Sequence, residues 1–287
     1  MSTPLQNKID FAVVLKVKNA NPNGDPLNGN RPRTDYRNYG EISDVAIKRK
    51  IRNRLIDEKQ SVFVQSEDRK TDEARSLRER AAHLIDSKLT QDEIAKKACE
   101  QWVDVRAFGQ LFAFKPTKKK GAKKGEAESE EGNDGSISIG IRGPVSVHPA
   151  FSVEPIEVSS TQITKSVNSE GDGAKHGSDT MGMKHRVDGG VYTFFGSMNP
   201  QLAEKTGFSE EDAEAIKKVL LTLFENDESS ARPAGSMQVL KRYWWRHNSK
   251  PGQYSSAKVH GTLKVNPDGS SSTEDLPGLT PEVKDGF

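Results

Sequence analysis

The segment Ile9-Asp-Phe-Ala-Val-Val-Leu-Lys-Val-Lys18 runs directly into Asn19-Ala-Asn-Pro-Asn-Gly-Asp-Pro-Leu-Asn-Gly-Asn-Arg-Pro-Arg-Thr-Asp35, and the two read in opposite ways. The first alternates. Ile9, Phe11, Val13, Leu15 and Val17 fall on one side, and Asp10, Ala12, Val14, Lys16 and Lys18 on the other, the period-two pattern of a half-buried strand near a sheet centre. The second holds five Asn, three Pro and two Gly. Pro22, Pro26 and Pro32 lack N–H donors, and Asn23-Gly24 and Asn28-Gly29 are turn dipeptides, so neither a helix nor an interior strand fits. A stretch this long without regular structure is either a functional loop or disordered. Its Pro and turn chemistry favour a shaped loop.

Beyond this loop, Ser43 or Asp44 caps a predicted helix whose core stripe is Ile47, Ile51 and Leu55. The same helix carries Lys48, Arg49, Lys50, Arg52 and Arg54, five cations in seven residues. Like charges so spaced repel one another. A solvated face ordinarily mixes in acids, so a nearby anion is the simplest compensation, with nucleic-acid phosphate first among the choices.

The 287-residue chain suits one large domain with insertions. Only 33% of it is hydrophobic and the mean hydropathy is −0.75, which favours a single modest core with polar insertions. The formal charge is +2, but residues 266–287 hold five acids and one Lys, so −4 there leaves +6 on residues 1–265. That balance permits nucleic-acid binding without demanding it. Cys99 is the single cysteine, so no intrachain disulfide forms and a reducing cytoplasm fits. The N-terminus has no signal-peptide pattern, and the longest apolar run, Phe11 to Leu15, is far too short to span a bilayer.

Taken in order, Ser61–Gln65 reads as a short strand and residues 67–100 as charged helix. That helix has stripes at Leu77, Ala81, Leu84, Ile85 and at Leu89, Ile94, Ala98, and a Thr90–Glu93 capping box. Trp102–Phe114 is apolar around Arg106, which is either a paired structural residue or a ligand contact. Residues 115–135, with six Lys followed by five acids, read as a mobile charged loop. Ser136–Val147 alternates as a strand, broken at Gly143-Pro144. Glu154–Ser166 and Val187–Phe195 bracket a Gly-rich segment as a long protruding hairpin studded with Lys165, Lys175, Lys184, His185 and Arg186. Met181 and Met183 in that hairpin either pack locally or wedge between bases.

Ser209 caps a helix with core residues Ala213, Ile216, Leu220, Leu223 and Phe224. Met237–Arg246 is a strand whose aromatics either stack bases or enter the core. Ala257–Val265 reads as a further strand, and the tail from Asn266 as disordered. The fold class expected is α+β, a split βαββαβ pattern of the RNA-recognition-motif kind.

No Walker loop, His-Glu-x-x-His, Cys pair or nucleophile elbow is present. Asp25 and Asp35 are the carboxylates to weigh for metal-assisted phosphodiester cleavage. In a Pro/Asn/Gly loop Asp more often shapes turns, and that reading is preferred.

Several runs together are similar to the Cascade backbone subunit of type I-C CRISPR systems, in the Cas-seven family. They are residues 19–33, Asp44–Leu55, Asp104–Gly109, Ile139–Pro144, Gly177–Arg186 and Ser236–Tyr254. The resemblance runs from about Ile9 to Val265; the charged insertion at 115–135 and the tail at 266–287 depart from it. It implies a hand-shaped protein: an RNA-recognition-like palm, helical fingers at residues 60–112 and a hairpin thumb at 160–190. It further implies a non-catalytic protein without a cofactor. Copies would oligomerise as a helical filament along a CRISPR RNA (crRNA), gripping its backbone and kinking it at intervals so that the segments between can pair with target DNA. The implied partners are the crRNA, target DNA, other copies of the chain and the complex's crRNA-processing, large and small subunits, with no membrane. The RNA-binding residues it implies are Asn23, Asn28, Arg31 and Arg33 in the loop and Lys48, Arg49 and Arg52 on the helix. In the thumb they are Lys165, Lys184 and Arg186, with Met181 or Met183 as the wedge.

Overall fold

The computed structural model describes residues 3–82, 84, 89–114, 137–164 and 181–287. The chain begins with β1 (Ile9–Ala20), a short ladder of β2 (Gly24–Asp25) and β3 (Arg31–Pro32), β4 (Tyr39–Ile42) and α1 (Asp44–Asp57). Three short helices follow, α2 (Leu77–Ala81), α3 (Gln91–Gln101) and α4 (Val103–Phe108), then the paired strands β5 (Gly109–Phe114) and β6 (Ile137–Arg142). Next come β7 (Val145–Val147), β8 (Ala150–Pro155), β9 (Val158–Thr164) and the long β10 (Met181–Met198). The remainder is α5 (Pro200–Thr206), α6 (Glu210–Val219), β11 (Met237–Arg246), α7 (Ser256–Gly261), β12 (Leu263–Val265), β13 (Ser271–Thr273) and β14 (Glu282–Asp285).

One antiparallel sheet organises these elements, in the order β14-β11-β1-β10-β8-β4, with β7 and β9 also paired to β10. The alternation of β1 sends its two sets of side chains into two different cores. Phe11, Val13, Leu15 and Val17 meet Ile47, Ile51 and Leu55 of α1 and Ala213, Ile216 and Val219 of α6. Ala12 and Val14 meet Tyr243, Trp245, Val259 of α7, Leu263 and Leu279. The expected half-buried strand is therefore buried on both faces over most of its length, because the C-terminal segment closes the second face. Asp10 is fully buried there, bonded to His247 Nε2 at 2.9 Å and Lys8 Nζ at 3.1 Å.

Both indoles of β11 are inside. Trp244 stacks on Phe11, ring centroids 5.6 Å apart, and Trp245 on Tyr243 at 5.8 Å. The base-stacking reading of this strand is thereby corrected: its aromatics are core.

Three further expectations change. Ser61–Gln65 is irregular, since the Phe63 and Val64 N–H groups donate to the Asp104 carboxylate, at 2.6 and 3.1 Å, instead of to a neighbouring strand. Residues 257–265 begin as helix α7, because Ser255 accepts from the Lys258 N–H and so acts as a helix cap; only 263–265 are strand. The tail is ordered. β13 pairs with β12, β14 adds an edge to β11, and Glu282 bonds both Arg242 (2.6 Å) and Lys217 (2.7 Å).

Among the described residues of 67–100, helix covers less than expected: beyond a single turn at Glu67–Arg69, α2 and α3 are the helices formed. Their apolar faces join Phe63, Trp102, Val105, Phe112 and Ile139 in a separate small core. The Thr90–Glu93 capping box is formed as read. Gly143, where the strand was expected to break, sits against α4; a Cβ there would lie 2.2 Å from the Ala107 carbonyl oxygen, a backbone atom with no room to yield. Residue Ile85 and segment 115–135 lie outside the described residues.

Candidate nucleic-acid interface

The Pro/Asn/Gly loop is folded by its own side chains. Asn19 and Asn30 take positive φ (54° and 58°), a region Asn tolerates better than most residues. Asn21 donates from Nδ2 to the Asn30 carbonyl at 2.7 Å, closing the loop across its base. Asp25 accepts from the Leu27 N–H at 3.2 Å and caps a single 3₁₀ turn at Pro26–Asn28, while Arg33 reaches the same carboxylate at 3.5 Å. Asp35 accepts from the N–H groups of Arg37 (2.8 Å) and Tyr39 (2.9 Å). Desolvation pushes the Asp35 carboxyl up, but those two backbone donors outweigh it and hold the group below the usual carboxylate range. Both acids weighed for metal chemistry are thus engaged in turn-making. Among the described residues no group of three or more His, Cys, Asp or Glu is placed to hold a metal ion.

The loop is anchored at two places. Asn23 Oδ1 accepts from the Ser43 N–H (2.9 Å) and the Ser43 hydroxyl (2.8 Å), and Ser43 is the N-cap of α1. Arg31 Nη1 donates to Ser160 Oγ at 3.1 Å, and Ser160 Oγ also bonds His185 Nδ1 at 2.8 Å. Ser160 and His185 are register partners in the β9–β10 hairpin. The start of α1, the loop and the root of the hairpin therefore form one connected surface. Sequence reading did not single out Ser160; its signal is the polar run Ser159–Ser160 opposite His185 and Arg186.

The cations of α1 divide into two sets. Lys50 pairs with Asp227, Arg52 Nε bonds Asp104 Oδ2 at 2.8 Å, and Arg54 bonds Asp57 at 2.6 Å and Thr222 at 3.2 Å. Their side chains are only 6%, 12% and 11% exposed, so the picture of five unneutralised cations needs correcting. Arg52, expected among the phosphate contacts, is committed to Asp104, which is 1% exposed. Lys48 and Arg49 are the less buried pair, with side chains 24% and 49% exposed. Lys48 pairs with Asp44 at 2.9 Å along the same helix, and Arg49 reaches Asp68 only at 3.6 Å.

Of the other expected positions, Asn28 and Lys184 are exposed, and Arg186 is half-exposed, 3.5 Å from Asp188. Met183 is 55% exposed. Lys165, Lys175 and the side chain of Met181 lie outside the described residues. Arg106 is settled as structural: it forks onto Asp212, Nε at 2.7 Å and Nη2 at 2.8 Å, and donates to the Cys99 carbonyl at 3.1 Å.

A family model described as CRISPR-associated protein Cas7 matches residues 7–278. The chain belongs to the CRISPR-associated Cas7 family. The Cas7 match takes in β1, the loop, α1, the hairpin and β11, and it extends beyond Val265 into the segment that closes the second sheet face. The CRISPR-associated protein Cas7 of Haloferax volcanii is 26% identical over 282 residues, covering 96% of this chain and 81% of that protein. A solved chain from a CRISPR RNA-guided surveillance complex in a pre-nicking form is similar at a TM-score of 0.49 and 16% identity, over 92% of this chain and 84% of that one. A chain of another CRISPR RNA-guided surveillance complex gives 0.47 and 17%, over 92% and 77%. Among the described residues no helix is long and apolar enough to cross a membrane.

Proposed function

We propose that this Cas7-family chain is a non-catalytic backbone subunit of a type I-C CRISPR Cascade complex, several copies of which line one crRNA. The observation that carries the reading is the double anchorage of the Pro/Asn/Gly loop, through Asn23 to the cap of α1 and through Arg31 to the hairpin root. It ties Arg31, Arg33, Lys48 and Arg49 to one ordered stretch of chain beside the hairpin root, whose neighbouring strand positions carry Lys184 and Arg186. These side chains and the loop amides suit a sugar-phosphate backbone of any sequence, which is what a guide of changing sequence requires.

In this reading the strand order β11-β1-β10-β8, with α1 and α6 on one face, is an RNA-recognition-like palm. The segment 60–112, with its own small core, forms the fingers, and the hairpin at 160–190 is the thumb. Met181 or Met183 is the wedge that enters the RNA and kinks it. Stretches between kinks pair with target DNA, and the thumb of one copy reaches the next to extend a filament. The crRNA-processing, large and small subunits complete the assembly, which works in the cytoplasm. The engagement of Asp25 and Asp35 in turns weighs against a ribonuclease. Target RNA incubated with Mg²⁺ and the assembled complex should stay intact, and cleavage lost in Asp25→Ala would reverse that ranking.

The test of the whole reading is nuclease protection of co-expressed guide RNA. Wild-type protein should protect it, and Lys48→Glu with Arg49→Glu should not. Undiminished protection by the double variant would remove α1 from the interface.

A further inference from the structure

The turn that follows the loop carries a feature the family reading does not use. Thr34 and Gly40 form a β-bridge, and the chain between them reverses in a tight hairpin. The Asp35 N–H donates to the Tyr39 carbonyl at 2.9 Å, the Asp35 carboxylate takes the N–H groups of Arg37 and Tyr39, and Asn38 closes the turn at φ 65°. This is a three-residue hairpin loop ending in a left-handed residue, ordered by five polar atoms. Tyr36 is 91% exposed, and no packing requirement explains a large aromatic ring held there.

The ring is not alone. The Arg37 guanidinium lies 5.5 Å from the Tyr36 centroid and 5.1 Å from that of Tyr39, and its side chain is 63% exposed. The guanidinium lies over one face of the Tyr36 ring and reaches the Asp35 carboxylate at 3.5 Å; the other face of the ring is open to a nucleobase and the cation to a neighbouring phosphate. The turn also sits beside the root of the thumb hairpin. The Asn38 carbonyl accepts from the Ile156 N–H at 2.9 Å, Tyr39 pairs with Pro155, and Arg31 bonds Ser160. The ribbon 31–39 thus runs alongside residues 155–160.

We infer that Tyr36, supported by Arg37, is a stacking platform for one unpaired base of single-stranded RNA at each copy of the chain. This rests on the RNA-binding reading above and adds a base contact to an otherwise phosphate-directed grip. Stacking on one ring tolerates every base, so it leaves the guide free to vary.

The experiment uses the full chain and a single-stranded RNA containing 5-iodouridine. Irradiation should cross-link the RNA to the tryptic peptide Thr34–Arg37, read by mass spectrometry. Tyr36→Ala should lower affinity about thirtyfold, the middle of the range for one base lost from one aromatic ring. Tyr36→Phe should bind as the wild type does, since the ring and not the hydroxyl makes the stack. Affinity of Tyr36→Ala within twofold of wild type would overturn the platform, as would a Phe variant as weak as the Ala one. If the wild-type chain binds no RNA at all, the broader reading falls with it; normal binding that ignores Tyr36 overturns the platform alone. Because Tyr36 makes no core contact, both variants should fold normally.

Discussion

The Arg106 guanidinium grips both oxygens of the Asp212 carboxylate, joining α4 to the first turn of α6 across 106 residues of sequence. Asp212 has a second task, accepting the Ser209 N–H at 3.0 Å in the capping box of α6. Removing Arg106 leaves a nearly buried carboxylate with two donors fewer. Arg106→Ala should therefore cost about 3 kcal/mol in urea unfolding, the range for breaking one side of a buried pair. Asp212→Ala should cost more, by about 1 kcal/mol, since the Ser209 N–H loses its partner in the capping box as well. Guide affinity of the folded protein should not change in either case.

The two sets of cations on α1 should separate by experiment. Lys48→Ala with Arg49→Ala should cost no more than about 1 kcal/mol, since each gives up only a solvent-reached ion pair. If each contacts one phosphate, the slope of log affinity against log salt should become shallower by about 1.4, the sum for two contacts on a single strand. Arg52→Ala should do the reverse. It strands Asp104, which also organises the Phe63 and Val64 amides, so stability should drop by about 3 kcal/mol while the salt slope holds. A shallower slope in Arg52→Ala would return that residue to the interface.

Stability at alkaline pH should carry two opposing contributions. Burial lowers the Lys50 ammonium to about 8 from an ordinary 10.5, against the pull of Asp227. Between those values the unfolded chain holds the proton that the folded chain has shed, so this contribution to stability rises with pH. Burial raises the Cys99 thiol from 9.0 to about 11. In that span the folded chain keeps a proton the unfolded chain has lost, so this contribution falls with pH. Relative to wild type, Lys50→Met should lose the rise and Cys99→Ala should lose the fall, read from urea midpoints at stepped pH. Parallel pH curves for wild type and Lys50→Met would contradict the first assignment.

A chain ending at Val265 tests the ordered tail. It removes Leu279 from over Tyr243 and Trp245, and Glu282 from Arg242, whose side chain is only 3% exposed. The loss should be at least about 3 kcal/mol, the cost of deleting one well-packed Leu, with the stranded guanidinium adding to it. Binding of a hydrophobic dye should rise as the second sheet face opens. A truncated chain as stable as the full one would restore the expectation of a disordered tail.

What could be read from the sequence was local. The alternation of β1, the Ile47-Ile51-Leu55 stripe, the caps at Ser43, Thr90 and Ser209, and the turn chemistry of Asn and Asp all act over a few residues. What could not be read depended on partners far along the chain. Arg52 meets Asp104 at 52 residues' separation, Arg54 meets Thr222 at 168 and Lys50 meets Asp227 at 177, so helix charge alone overstated the open cations. The same holds for the second face of β1, whose cover comes from residues beyond Tyr254. Asp10, a carboxylate in an apolar strand, was the one local sign that something polar packs there, and its partner His247 lies 237 residues away.

All three tryptophans, Trp102, Trp244 and Trp245, are sealed within the protein at 3% exposure or less. Their ultraviolet emission consequently belongs to the interior. It will follow denaturation faithfully and stay dark to a polymer laid on the outside, so anyone titrating such a ligand must bring a label or watch tyrosine.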